Sequence, residues 1–166
     1  FKLEASGNIE VSGLIYACDI ECGGNLIAKE GINENQAKKI AVKGDIAAKY
    51  ILNANITCDG NILIKREIFQ SFVKPKGEVN CAEGRIVGGE ILSAKGITVN
   101  EVGSKGNVKT TLVAGVDYAL MEKIKANNDN IQQLKDMIKK LNPACRKLKT
   151  SPVTLNDAQK ENMMEI

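Results

Sequence analysis

Histidine is absent from the 166 residues. That excludes Ser-His-Asp triads, imidazole acid–base catalysis and His-ligated zinc. Tryptophan is absent too, and aromatics make up only 4% of the chain. A core without large rings has to be filled by Ile, Leu, Val and Ala in a narrow space. No apolar run approaches the roughly 18 residues of a membrane span, so no membrane insertion is expected, and no signal-peptide pattern opens the chain. The five cysteines have no framework spacing and form no Cys-x-x-Cys pair. They suit a reducing compartment, and argue against a secreted disulfide scaffold and a metal site. A large charge of one sign is also missing: the net charge of +3 is too small to imply a nucleic-acid partner.

What is present supports a folded chain, since 43% hydrophobic and 26% charged residues exclude wholesale disorder. Phe1 falls in mid-pattern, so the chain reads as a fragment of a longer protein. The pattern is a repeat marked by glycine. Gly7, Gly24, Gly44, Gly60, Gly77 and Gly96 are separated by 17, 20, 16, 17 and 19 residues. Two residues after each come Ile9, Leu26, Ile46, Ile62, Val79 and Thr98, and four after come Val11, Ala28, Ala48, Ile64, Cys81 and Asn100. Four before each stand Leu3, Ile20, Ile40, Ile56, Val73 and Leu92, and two before stand Ala5, Cys22, Val42, Cys58, Pro75 and Ala94.

Alternation with period two means strand, with one face buried. A unit of 16–20 residues cannot bury its stripe alone, but stacked units can. The pattern therefore predicts a mainly-β fold, a parallel β-helix of about six coils over residues 1–116. At about 4.8 Å per coil the rod is roughly 25–30 Å long. The hexapeptide period of left-handed β-helices is absent, which favours a right-handed one. Ile15, Ile32, Leu52 and Ile68 supply a third wall. The six glycines read as structural turn residues at inward-facing corners with little room for a Cβ. An antiparallel sandwich with ordinary turn glycines is the competing reading, disfavoured by the shared register. The longest repeat carries a polar excess over residues 33–39, expected to bulge as a loop. Pro75 is expected at a bend or strand end, and the weakened register at Thr98 and Asn100 places the end of the rod nearby.

After Gly115 the period changes. Asp117 is a candidate N-cap, and Ile124, Ile131, Leu134, Ile138 and Leu141 follow at heptad spacing, with Asn127 as a polar interruption. Residues 118–142 make about 37 Å of helix. Pro143 is expected to stop or kink it, and 156–166 to form a second helix. Residues 117–166 thus read as a helical hairpin or coiled coil. The seam is covered either by the returning helix or by a second copy.

Gly7-Asn8-Ile9-Glu10-Val11, Gly44-Asp45-Ile46-Ala47-Ala48-Lys49 and Gly60-Asn61-Ile62-Leu63-Ile64 carry a resemblance. So do Gly84-Arg85-Ile86-Val87-Gly88-Gly89-Glu90-Ile91, Val102-Gly103-Ser104 and Gly115-Val116-Asp117 ahead of the coiled coil. In this order they resemble the flagellar assembly protein A family over about residues 5–140. The resemblance implies a cytoplasmic bacterial protein with a right-handed β-helix and a helical hairpin, linked by the family name to flagella. It carries over no catalytic residue.

Candidate sites are few. Cys22 and Cys58 lie two coils apart with Val42 between, roughly 9–10 Å, too far to bridge. With Cys81 they read as small buried hydrophobes, whereas Cys18 is off-register and Cys145 is the expected exposed thiol. Residues 103–110 glance at a phosphate loop but lack its spacing, and read as a polar loop from rod to hairpin. Lys29, Lys49 and Lys65 share one outward position on neighbouring coils; Lys43, Lys76 and Lys95 share another. The first trio is a candidate interaction stripe, although Glu30, Asp45, Asp59 and Glu67 nearby also fit a solvated face. No cofactor, no metal and no catalytic residue is expected. The expected function is a non-catalytic scaffold or protein-interaction domain with an unidentified protein partner. Self-association through the coiled coil or the solenoid ends is a further expectation. The alternatives are a bactofilin-like polymer and a carbohydrate-active β-helix enzyme.

Overall fold

A computed structural model describes residues 1–150, with side chains for all of these except 119 and 143–150. Two compact units divide the chain, Phe1–Met121 and Glu122–Ile166. The first is a parallel β-solenoid of about seven turns. Its first coil holds β1 (Lys2–Ala5), β2 (Ile9–Val11) and β3 (Leu14–Tyr16), and its second β4 (Asp19–Cys22), β5 (Leu26–Ala28) and β6 (Gly31–Asn33). The third holds β7 (Lys39–Val42) and β8 (Ile46–Leu52). β9 (Asn55–Cys58) opens the fourth, and β10 (Ile62–Pro75) runs on into the fifth. β11 (Val79–Ser93), β12 (Ile97–Val102) and β13 (Thr110–Ala114) complete the winding.

Every strand pairing is parallel and joins equivalent segments of adjacent coils. One wall stacks Leu3, Ile20, Ile40, Ile56, Val73, Ile91 and Leu112. The second stacks Ile9, Leu26, Ile46, Ile62, Val79 and Ile97. The third stacks Ile15, Ile32, Ile51, Ile68, Ile86 and Val102. Isoleucine dominates because a β-branched side chain fills a flat rung between strands with little rotamer freedom to lose.

Four expectations shift. The third wall uses Ile51 in place of Leu52, because β8 crosses its corner one residue earlier than the glycine count suggests. In the sixth coil the corner position belongs to Lys95, not Gly96: Lys95 N–H donates to Gly77 O, as Gly77 N–H does to Gly60 O. The true rungs there are Ile91, Ser93, Ile97 and Val99. The apparent loss of register at Thr98 and Asn100 was thus a one-residue slip, and the rod continues through β13. Finally, residues 103–109 connect β12 to β13, two strands of the solenoid, with Thr110 already in β13 and Gly103 in the left-handed region (φ 88°).

One local expectation holds and another holds in part. Pro75 is the last residue of β10, and residues 34–38 connect β6 to β7, but Asn33 and Lys39 belong to those strands and Glu34 is buried rather than bulging outward. Another recurrent device escapes the glycine pattern. Ala17, Asn53, Gln70 and Gly88 take positive φ at one corner, just after the third wall.

The second unit contains most of α1 (Tyr118–Thr150). Asp117 caps it as expected, its Oδ1 accepting Leu120 N–H at 3.3 Å. The helix does not stop at Pro143; its assignment runs on to Thr150. The second helix of the expected hairpin, with residues 156–166, lies outside the described residues.

Candidate functional site

The glycines are required by the coil beneath rather than by the interior. A Cβ added at Gly24, Gly44, Gly60 or Gly77 would collide with backbone of the preceding corner glycine and with the side-chain oxygen of Asn8, Asn25, Asp45 or Asn61 in turn. Gly7 and Gly96 have open space instead. Those side-chain oxygens form a ladder of their own. Asn8 Oδ1 accepts Asn25 N–H (2.8 Å), Asn25 Oδ1 accepts Asp45 N–H (2.8 Å), Asp45 Oδ1 accepts Asn61 N–H (2.6 Å), and Asn61 Oδ1 accepts Glu78 N–H (3.0 Å). Corner N–H groups that the sheet walls cannot reach are satisfied in this way.

Interior polar atoms serve the same frame. The Cys22 and Cys58 thiols donate to Gly7 O (3.2 Å) and Gly44 O (2.9 Å), and the Ser93 hydroxyl to Gly77 O (2.8 Å). Burial pushes the Cys58 thiol up to about 11 and raises that of Cys81. Neither is poised as a nucleophile. Val42 does separate Cys22 from Cys58, and Cys18, Cys22, Cys58 and Cys81 are free. Glu34 is the buried charged side chain of the loop after β6, at 4% exposure. Both its carboxylate oxygens accept Cys18 N–H at 3.1 Å. Desolvation raises its pKa, whereas a hydrogen bond from Lys38 lowers that of neighbouring Asp19. No cluster of metal-ligating side chains occurs among the described residues.

Lys29, Lys49 and Lys65 come together on the second wall and line one recess with Arg66 and Glu83. Lys29 pairs with Glu10 (2.8 Å) and Lys49 with Glu30 (3.0 Å), each a carboxylate contributed from the coil before. Lys65 and Arg66 have no ion pair among the described residues. In the other trio, Lys76 pairs with Asp59 at 2.8 Å, and Lys95 does not share its position, because of the slip at Gly96. Sequence reasoning missed the apolar column beside the lysines: Ile27, Ala47 and Leu63 point outward one above another. Their signal was available, as apolar residues at a repeat position otherwise polar. On α1, Ile124, Ile131, Leu134, Ile138 and Leu141 form a stripe that is 48–60% exposed.

The coil-on-coil register, cornered by glycine and Asn or Asp side chains, defines a parallel β-solenoid protein with an appended helix. The family model described as the Flagellar Assembly Protein A beta solenoid domain (FapA) matches residues 1–166, and the chain belongs to that family. Comparison with curated proteins gave no match, nor did comparison with solved structures. No helix among the described residues is long and apolar enough to cross a membrane.

Proposed function

We propose that this chain is a non-catalytic scaffold domain of the bacterial cytoplasm that takes part in flagellar assembly by presenting fixed surfaces to protein partners. The family match supports the process, and the exposed apolar stripe of α1 supports the interaction role. A stack whose interior polar groups are spent on its own corners is suited to holding surface positions at fixed spacing. The helix stripe favours a second reading, self-association. Isoleucine at one heptad position and leucine at the other, interrupted by Asn127, is a pairing sequence.

In the native host, in-frame deletion of this domain should reduce the number of flagella counted by electron microscopy. An unchanged count would overturn the assembly role. Turnover of an acidic polysaccharide, abolished by one carboxylate substitution, would overturn the non-catalytic reading. Sedimentation separates the modes of association: a discrete dimer fits the helix seam, and filaments that grow with concentration fit stacking of solenoid ends.

A further inference from the structure

The second wall carries an apolar notch beside its lysines. On the outward face Glu10, Ile27, Ala47, Leu63 and Asn80 stack on successive coils. Ile27 is 39% and Leu63 48% exposed, and the small Ala47 lies between them. The two large side chains stand two coils apart, about 9.6 Å, with the alanine as floor. The recess so formed has a volume of about 280 Å³ and is rimmed by Lys29, Lys49 and Lys65, two residues further along each strand. Rungs on a parallel sheet cannot slide past one another, so notch and rim keep a fixed spacing.

We infer that this notch docks an acidic segment of a partner protein, one apolar side chain seated over Ala47 and flanking carboxylates against the lysine column. The inference rests on the scaffold reading and names the chemistry of its partner. Charge complementarity carries it. Lys65 and Arg66 hold unpaired positive charge among the described residues, and the pairs made by Lys29 and Lys49 are exposed. Exposed pairs of this kind contribute little, so their lysines exchange one carboxylate for another at little cost. Lys65 stands beside these pairs with no paired carboxylate of its own among the described residues, and an anionic segment supplies one. The apolar floor adds what charge alone lacks: selection for a large hydrophobic residue among the acids.

The probe is a fluorescein-labelled twelve-residue peptide of Asp and Glu with one central Leu, read by fluorescence anisotropy against the full chain. Replacing that Leu by Ser should weaken binding roughly tenfold or more, the worth of a seated leucine. The same peptide with Lys in place of its acids should not bind. Leu63→Ser and the pair Lys49→Glu with Lys65→Glu should each weaken the acidic peptide by a similar factor. These positions face outward, and an unchanged thermal melt checks that the variants fold. No binding by the parent chain would overturn the inference, as would equal binding of the Leu and Ser peptides. Sedimentation with phosphatidylglycerol vesicles is the other arm: if vesicles bind, depend on Leu63 and displace the peptide, the site is a membrane contact and the inference fails. Failure of the peptide with flagella still lost on domain deletion would sink the notch alone. Peptide binding with flagella unaffected would sink the assembly role alone.

Discussion

The solenoid and the helix use the same isoleucines and leucines and treat them in opposite ways. Ile56 in β9 is 0% exposed, whereas Ile131 in α1 is 48% exposed. In the solenoid each coil covers the next, so a stripe too narrow to fold alone becomes a continuous core. The stripe on α1 has the right spacing for burial, yet its residues stay half open. Spacing fixes which residues share a face. Burial needs a second surface, which the solenoid supplies from its own next turn.

The largest effect should come from placing the same charge in each region. Ile56→Asp puts an unpaired carboxylate inside the rod and should cost more than about 4 kcal/mol, enough to lose the β circular-dichroism signal. Ile131→Asp should leave that signal intact. Equal damage from both would erase the contrast. Next comes Gly60→Ala, where the new Cβ meets Gly44 backbone that cannot move aside. A loss of about 1–3 kcal/mol in urea unfolding is expected. Gly7→Ala, in open space, should stay within about 0.5 kcal/mol. If both glycines tolerate alanine, coil stacking does not dictate them.

A smaller effect concerns Glu34. Burial raises its folded pKa, so its stabilising share is complete below the unfolded value of about 4.3 and is lost as pH rises through the folded value. Glu34→Gln keeps an acceptor for Cys18 N–H but has no charge to desolvate. Its melting temperature should match the parent near about pH 4 and exceed it near about pH 7. A constant difference across that range would show that the buried carboxylate is not the cause. The smallest effect is at the surface: Lys49→Glu breaks an exposed pair with Glu30 and should change stability by less than about 1 kcal/mol. A collapse like that of Ile56→Asp would reverse the inside and outside of the second wall.

Much of the fold was legible because stacking repeats one environment. On the first wall five coils read correctly from glycine spacing, since Leu3, Ile20, Ile40, Ile56 and Val73 answer to the same rung. The sixth misled because a glycine, Gly96, stands next to a corner that Lys95 occupies. Gly96 itself meets open space, so no stacking contact calls for a glycine there, and counting glycines slips by one. The ladder of carboxamide and carboxylate oxygens was legible in Asn8, Asn25, Asp45 and Asn61 and went unread. The positive-φ corner was not: neither Ala17 nor Gln70 announces a left-handed backbone. Glu34 ran against its polar surroundings, because a loop that folds inward to cap a neighbour's N–H looks in sequence like any exposed loop. The lysines were visible as a column, but the notch beside them depends on Ala47 being small between two larger residues.

The register itself is open to direct measurement. Glu4, Glu21, Ala41, Thr57, Lys74, Leu92 and Val113 stack outward on the first wall. Spin labels at Glu4 and Thr57, and at Glu4 and Val113, span three and six coils. Pulsed and continuous-wave electron paramagnetic resonance should give about 14 Å and about 29 Å, rising by about 4.8 Å per coil whatever the length of chain between. Distances that fail to double between the two pairs would contradict the stacked coils.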